Sequence, residues 1–537
     1  MNELYRWDGG RFQEYGSESS LKRVSAIAET LEGEIVIAAN ADGGLKRLAG
    51  GAYQDYPVSK FGPRISARVL LTDRDGGLWI GTEGQGLIHV HQGGADRFTL
   101  TDGLSGNIVC SLFEDREGNI WVGTERGLDR FRDLPVTILS KREGLSDDAA
   151  GSVFASSSGG VWIGTSAGLN RVEGNRITVL DRRAGLPSSN VESMYEDRLG
   201  RLWVDAPKGL VFRSNGQFRP LDLRGADDLR SISAAAEDRD GVLWFADREQ
   251  GLISVQANEI KKVIPWSSFD NKHPWALDAD LARGGLLIGF VEGGVAYYRQ
   301  GLPLRWFTAR DGLGSGTVTD IHVDSDGTAW IATQGGLSRL RDGRVDTLTT
   351  ANGLACDQIH SIVEAQDGAL WFSTPCGLQS LARQELATWA VHPNSVVHPK
   401  VYTGSDGMRL RSTTGGFFRR AARSTDGRLW FPLFDGVAVV DPTRLRENRL
   451  PPPVVIERLR VDDKPYSLNP NLRVGPIGKE LQFDYTAFSF VNPDRVQFRY
   501  KHVLQRGPRG PISTAERSSP CLGFSPNQLS LPLLPTL

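Results

Sequence analysis

The stretch VCSLFEDREGNIWVGTERGLDRF, residues 109–131, contains the unit that decides the fold. Short runs rich in Val, Ile, Leu and Trp alternate with turns rich in Gly and Asp, a pattern typical of β-strands rather than helices. The runs VCSLFE, NIWVGT and LDRF are followed by a fourth, VTIL at 136–139. The stretch therefore predicts four short antiparallel strands in about 40 residues.

This unit recurs along the chain with a nearly fixed spacing. Ten glycines each have a large apolar residue three positions later, and successive glycines lie 41 to 43 residues apart, except for a last step of 59. The glycines are Gly33, Gly76, Gly118, Gly159, Gly200, Gly241, Gly284, Gly327, Gly368 and Gly427. The apolar residue is tryptophan in eight units, with Val36 and Leu287 in the other two. Such a period indicates a repeat architecture, and four-stranded repeats stacked by an aromatic residue predict a β-propeller.

Two turn positions have physical roles. The glycine suits a conformation with positive φ, which a Cβ atom disfavours. In five units an aspartate stands six residues before the tryptophan, where its carboxylate can accept hydrogen bonds from turn amides: Asp73, Asp115, Asp197, Asp238 and Asp324. A calcium loop is the alternative for the Asp-x-Asp-Gly units, but the further acid that such a loop needs does not follow. We expect each tryptophan to fill the gap between neighbouring sheets.

The motifs around the tryptophan resemble those of a known repeat. The tryptophan opens WIGT at 79–82, WVGT at 121–124 and WIGT at 162–165, and a Gly-Leu pair often opens the next unit, as in TDGLSGNIV. The Trp-Asp and Gly-His pairs of WD40 repeats are not part of this pattern. The units closely resemble the two-component regulator propeller repeat over roughly residues 1–447. The resemblance implies the extracytoplasmic sensor half of a bacterial hybrid or classical sensor histidine kinase.

The segment after the repeats resembles a second domain of the same family. PPPVVIERLRVDDKPYSL at 451–468 and KELQFDYTAFSFVNPDRVQFRYK at 479–501 alternate apolar and polar residues, as half-buried sandwich strands do. They resemble the opening of the Y_Y_Y domain, with Tyr485 and Tyr500 as two of its tyrosines. The following tail is rich in Pro and Ser and lacks strand alternation. A genuine linker is one interpretation, and a frameshifted reading frame is favoured because the change falls inside the domain.

The sequence thus predicts an all-β chain of four parts. Seven units counted back from Trp430 give a seven-bladed β-propeller at 141–447, preceded by a partial propeller of three blades and a stub at 1–140. A truncated Y_Y_Y immunoglobulin-like domain is expected at 448–501, and a non-family tail at 502–537. The first residues lack the apolar core of a signal peptide, and the chain has no apolar run that would span a bilayer. The resemblance implies a periplasmic location for an intact parent.

Composition limits the classes of partner that the chain is expected to bind. The 537 residues have a formal net charge of −2 with interleaved acids and bases, so no basic surface for nucleic acid is predicted. Four cysteines give neither a disulfide framework nor metal-ligand spacing, and no cofactor or metal is expected. Cys356 and Cys376 belong to one unit and to loops at the same end of it. Pairing in an oxidising compartment and two unrelated thiols both remain open.

One column of the repeat suggests a binding site. It lies eleven residues before the tryptophan, at the start of the innermost strand, and is polar and varied while its neighbours are apolar or small. The turn after the tryptophan motif opens onto the same end of the central channel. From these two positions we nominate five residues as ligand contacts: Glu192, Lys208, Arg248, Gln334 and His360. For each of them, the alternative is an ordinary solvated loop residue. His322 falls in a column that contains Phe113, Phe154 and Tyr195 in other units, so packing is its expected role.

The predicted function is ligand sensing without catalysis. The resemblance implies binding of a small molecule or saccharide, and a kinase module in the intact parent. A homodimer through the Y_Y_Y domain is left open for a chain in which that domain is complete. The chain has no phosphoacceptor-histidine motif, ATP lid or receiver aspartate cluster. Two alternatives stand: a free-standing propeller enzyme of the lyase type, which needs an acid and a base at one channel mouth, and a protein-interaction scaffold.

Overall fold

The computed structural model forms two compact units, one of Met1–Asp133 with Glu447–Leu537 and one of Leu134–Arg446. The residues that the structure describes are 4–7, 9–15, 24–39, 44–49, 52–56, 58, 61, 65–91, 94–206, 209–220, 231–257, 259–409, 420–445, 450–467, 480–491, 496–504, 513–520 and 527–532. Almost all regular structure within them is antiparallel β-sheet, as predicted. Among the described residues, no helix combines the length and the apolar character that crossing a membrane requires.

The N-terminal part of the first unit contains sheets of two, four, four and three strands. In chain order these strands are β1 (Leu4–Trp7) and β2 (Phe12–Tyr15); β3 (Val24–Glu29), β4 (Ile35–Ala39), β5 (Gly44–Ala49) and β6 (Ala52–Asp55); β7 (Ala67–Thr72), β8 (Leu78–Thr82), β9 (Leu87–His91) and β10 (Gly94–Phe98); and β11 (Val109–Glu114), β12 (Ile120–Thr124) and β13 (Leu128–Phe131).

The described residues of the second unit form seven four-stranded sheets. Its strands are β14 (Val136–Leu139), β15 (Ala150–Ala155), β16 (Val161–Thr165), β17 (Gly168–Glu173), β18 (Arg176–Leu180), β19 (Ser193–Glu196), β20 (Leu202–Ala206), β21 (Gly209–Ser214), β22 (Gln217–Pro220), β23 (Ile232–Glu237), β24 (Leu243–Asp247), β25 (Gly251–Gln256), β26 (Glu259–Ile264), β27 (Pro274–Asp280), β28 (Gly285–Phe290), β29 (Val295–Tyr298), β30 (Arg305–Phe307), β31 (Val318–Val323), β32 (Ala329–Thr333), β33 (Gly336–Arg341), β34 (Arg344–Leu348), β35 (Ser361–Glu364), β36 (Leu370–Thr374), β37 (Gly377–Leu381), β38 (Lys400–Tyr402), β39 (Ala422–Arg423), β40 (Leu429–Leu433) and β41 (Gly436–Val440).

These seven sheets close into a ring through the two ends of the unit. Each innermost strand contacts the innermost strand of the next sheet, and β39 contacts β15. The last sheet has the order β14-β41-β40-β39, so its outermost strand comes from the start of the unit. Val136 pairs with Val440 and is fully buried. The unit therefore begins before the predicted boundary at 140/141, because the strand that closes the ring precedes it.

A nine-residue helix, α1 (Arg383–Val391), lies between β37 and β38. It accounts for the 59-residue step between the last two repeat glycines, since the extra chain forms this insertion. Trp389 of the helix is fully buried, with its ring centroid 6.5 Å from that of Trp330. Short 3₁₀ turns join many of the sheets, at Leu100–Asp102, Lys141–Glu143, Arg182–Ala184, Trp266–Phe269, Ala309–Asp311, Thr350–Asn352, Gly404–Asp406 and Pro442–Arg444.

In all ten units the repeat glycine lies in the turn between the first two strands of the sheet. All ten glycines have positive φ, between 73° and 93°, so the predicted need for glycine is confirmed. The aspartate accepts turn amides as predicted: Asp197 Oδ1 receives hydrogen bonds from the backbone amides of Leu199 and Arg201. Its other oxygen accepts from Trp203 Nε1 at 2.8 Å, a contact that the sequence analysis missed. The Trp203 ring also packs across sheets, 5.5 Å from Phe245, as expected.

The C-terminal part of the first unit contains β42 (Val454–Val461), β43 (Lys464–Tyr466), β44 (Glu480–Ala487), β45 (Gln497–Leu504), β46 (Ser513–Pro520) and β47 (Asn527–Pro532). One sheet has the order β43-β42-β44-β47, and β45 pairs with β46. Strands therefore extend to Pro532, beyond the point where the strand alternation of the sequence ends, and the non-family origin of residues 502–537 stays a prediction. Strand pairing uses the main chain, and the prolines of β46 and β47 stand at their last residues, where they interrupt the ladder least.

Candidate functional site

A cavity of 230 Å³ opens at one end of the channel of the second unit. Its lining comes from four successive sheets and consists of Trp275, Val291, Thr317, Thr319, Gln334, Gln358, His360 and Arg420. Two repeat positions supply these residues: the start of the innermost strand and the turn after the tryptophan motif. The sequence analysis predicted that these two positions meet at one end of the channel.

A β-bulge explains why the column at the start of the innermost strand is polar and varied. In β31 the register shifts between Val318 and Asp320, which leaves Thr319 as the extra residue. In β27 the shift lies between Pro274 and Ala276, which leaves Trp275. A bulge residue has no paired neighbour and its side chain is re-aimed, so the sheet places little constraint on it.

The same bulge corrects the sequence alignment at β27. The repeat spacing assigned Ala276 to the variable column, but Ala276 pairs with Gly289 and is buried. Trp275, one residue earlier, lines the cavity instead. Trp275 was therefore missed because it lies one residue further from Leu287 than the repeat spacing predicts. Arg420 was missed because the spacing from Trp430 assigned Arg419 to the column. Arg419 lies outside the described residues.

One cation dominates the electrostatics of the cavity. The Arg420 guanidinium is buried and lies 5.0 Å from the centroid of the Trp275 ring, a cation–π distance. Burial lowers the pKa of Arg420 to about 10, against the opposing effect of Asp320. Arg420 therefore keeps its charge at neutral pH.

His360 and Asp320 have shifted pKa values that favour their neutral forms. His360 is 6% exposed, and burial followed by the charge of Arg420 lowers its pKa to about 4. Burial raises the pKa of Asp320 to about 6, although the backbone amide of Ile362 donates to its carboxylate at 2.9 Å. At pH 7 the cavity thus presents a neutral imidazole, one guanidinium, hydroxyls and amides.

A disulfide holds one side of the cavity. Cys356 and Cys376 are bonded, with their Cα atoms 6.0 Å apart. The bond joins the loop that carries Gln358 and His360 to the turn after β36. Of the two alternatives that the sequence left open, the structure has the paired one.

The structure brings together two of the five nominated residues, Gln334 and His360. Glu192 is half-buried and its Oε1 accepts from Asn190 Nδ2 at 2.9 Å. Arg248 is exposed. Neither Glu192 nor Arg248 lines this cavity, because they belong to the sheets of β19 and β23, whereas the lining comes from the sheets that begin with β27, β31, β35 and β39. Lys208 lies outside the described residues.

Four stretches of the chain match the family model described as "Two component regulator propeller": residues 62–84, 103–126, 185–206 and 312–335. The chain therefore contains two-component regulator propeller repeats, as the motifs predicted. No relative was found among proteins of curated function.

Comparison with solved structures gives one similarity that supports the propeller fold. The chain is similar to the extracellular domain assigned to a hybrid two component system from B. thetaiotaomicron, with a TM-score of 0.69 and 20% identity over 95% of this chain and 68% of that one. A second extracellular domain, assigned to a one component system from B. thetaiotaomicron, gives a TM-score of 0.46 and 17% identity over 99% and 76% of the two chains. A streptogramin B lyase gives 0.42 and 14% over 57% and 96%. The first similarity, at this low identity, establishes the fold: a β-propeller.

Proposed function

We propose that this chain is the ligand-sensing region of a two-component regulatory system and that the cavity binds a small polar molecule, with saccharides as the favoured class. The observation that carries the proposal is the cavity itself, in which the positions that the repeat leaves variable supply most of the polar lining. The two-component regulator propeller repeats support the regulatory role.

The chemistry of the lining suits a hydroxyl-rich ligand. Gln334, Gln358 and the neutral imidazole of His360 offer hydrogen-bonding groups, and Trp275 offers an apolar ring. Arg420 adds a fixed positive charge for a ligand that carries a carboxylate. At 230 Å³ the cavity is below the range of about 300–1,000 Å³ for drug-sized ligands, so it favours a ligand near one sugar ring in size.

The titratable groups of the cavity suit binding better than turnover. A general base works best with a pKa near the operating pH, whereas among the lining residues His360 has a pKa of about 4 and Arg420 one of about 10. Asp320, with a pKa of about 6, is not a lining residue of the cavity. In an intact parent we expect a periplasmic sensor whose Y_Y_Y domain relays ligand binding to a kinase module. Glu192, Lys208 and Arg248 remain proposed contacts for the parts of a larger ligand outside the cavity.

A binding screen with a product assay tests this proposal. The purified full chain is heated with a panel of neutral monosaccharides, uronic acids and disaccharides, and each stabilising compound is then incubated with the protein and recovered. A sensor raises the melting temperature and returns the compound intact. An unsaturated product absorbing in the ultraviolet would establish a lyase instead, and binding of a protein with no response to any saccharide would favour a scaffold.

A further inference from the structure

A polar cluster lies at the interface between two sheets of the second unit, apart from the cavity. His322 belongs to β31, Asp324 follows that strand, and Glu364 ends β35 of the next sheet. One ligating atom from each residue lies within 4.8 Å of the other two. We propose that these three side chains bind a divalent transition-metal ion of the zinc class.

The distances fit a bridging ion better than direct hydrogen bonds. His322 Nε2 lies 3.4 Å from Asp324 Oδ1 and 3.7 Å from Glu364 Oε2. Direct N–H···O bonds span about 2.7–3.2 Å. A tetrahedral ion with ligand bonds of about 2.0–2.2 Å holds its ligand atoms roughly 3.3–3.6 Å apart. The two observed separations are thus close to the edges of such a tetrahedron.

The atoms that face each other are also the ones that lack hydrogen bonds. Among the described residues, His322 Nε2 and Asp324 Oδ1 are both withdrawn from solvent and have no hydrogen-bond partner. Buried polar atoms in proteins are nearly always satisfied. A shared cation would satisfy both atoms at once.

The outer oxygens of both carboxylates are held by neighbouring donors. Trp330 Nε1 donates to Asp324 Oδ2 at 3.1 Å, and Arg383 Nη1 donates to Glu364 Oε1 at 3.2 Å. Each carboxylate therefore has one oxygen anchored and the other near the imidazole. Such anchoring of ligand side chains is usual around metal ions in proteins.

Among the residues that the structure describes, this arrangement occurs at one junction between sheets. The column of His322 contains Phe113, Phe154 and Tyr195 in other sheets, so the predicted packing role is replaced here by polar contacts. Glu196, equivalent to Glu364, accepts instead from the backbone amide of Ser157 in the preceding turn at 2.9 Å. The repeat frame alone therefore does not account for the cluster.

An imidazolium bridging two carboxylates is the competing explanation. Burial opposes charge on His322, but the carboxylates of Asp324 and Glu364 raise its pKa to about 9. To bind, the metal must displace the extra proton from His322. Metal ions generally do this, because histidine binds a metal in its neutral form. Direct titration of the protein with metal distinguishes the two explanations.

The test uses the full chain without a polyhistidine tag, stripped with EDTA. Zn²⁺ is titrated calorimetrically and Co²⁺ by its visible absorption. The variants are His322→Phe, which introduces the residue found in this column at β11 and β15, and Glu364→Gln, which keeps the size of the side chain. His398→Ala is the matched control, because His398 also lies near a carboxylate, that of Glu385 at 3.3 Å, but is exposed.

We expect one equivalent of Zn²⁺ per chain, a tetrahedral Co²⁺ spectrum, and an affinity loss of at least about 100-fold in His322→Phe and Glu364→Gln but not in His398→Ala. Circular dichroism spectra and melting temperatures of the metal-free variants verify folding. The proposal is overturned if wild-type protein binds no stoichiometric metal, or if His322→Phe binds as tightly as wild type. Neither outcome depends on whether the cavity binds a saccharide.

Discussion

The disulfide between Cys356 and Cys376 should contribute measurably to the stability of the second unit. The bond closes a loop with a sequence separation of 20. The chain-entropy relation gives such a loop a contribution of about 3 kcal/mol at 25 °C. Unfolding entropy is about 2.1 cal/mol/K per residue, and the unit runs from Leu134 to Arg446, so the loss of the bond should lower the melting temperature by about 5 °C.

Differential scanning calorimetry of the full chain measures this effect. Reductant should lower one thermal transition of the wild-type protein by about 5 °C and leave the double variant Cys356→Ser/Cys376→Ser unchanged. The double variant should melt where the reduced wild-type protein melts. The reasoning is refuted if Cys356 and Cys376 can be alkylated before reduction, or if reductant shifts the double variant equally.

Two further predictions concern the repeat turn and the cavity. Asp197→Ala removes the acceptor of the buried Trp203 indole and should lower the free energy of unfolding in urea by about 1–3 kcal/mol, whereas the exposed Asp240→Ala should change it by less than about 0.5 kcal/mol. Acidification from pH 7 to 4 destabilises the fold through His360, since the unfolded imidazole gains its proton at a higher pH than the native one, and stabilises it through Asp320, whose native carboxyl is protonated first. Between pH 7 and pH 4, the free energy of unfolding of Asp320→Asn should therefore fall by up to about 3 kcal/mol relative to that of wild type, and that of His360→Gln should rise by up to about 3 kcal/mol. Urea unfolding at a series of pH values measures both differences. Parallel pH curves for both variants and wild type would contradict the assigned pKa values.

Much of the architecture could be predicted because every unit of the repeat is subject to the same physical constraints. A turn with positive φ requires Gly200 and its equivalents, and a sheet interface requires Trp203, so both signals recur at one spacing. The closing strand β14 was assigned to the wrong side of a boundary because its pairing with β41 joins segments about 300 residues apart. Local sequence carries no information on such a pairing.

The candidate site was predicted less completely for a related reason. Gln334 and His360 were found because variation at a fixed repeat position is visible in the sequence. Trp275 was missed because a one-residue change in spacing hides this bulge residue from the column, and Arg420 was missed because the spacing pointed to Arg419 instead. The cluster around His322 brings together side chains from two sheets, whereas the aromatic residues at the same position of other units favoured packing instead.

Isothermal titration of the best saccharide from the screen into four proteins tests the central claim most directly: wild type, Gln334→Ala, His360→Ala and the exposed Arg176→Ala on the outermost strand β18. If the cavity is the sensing site, Gln334→Ala and His360→Ala should each weaken binding at least about 10-fold, while Arg176→Ala should leave it within about threefold of wild type. Unchanged affinity in both cavity variants, with all proteins folded, would contradict the claim.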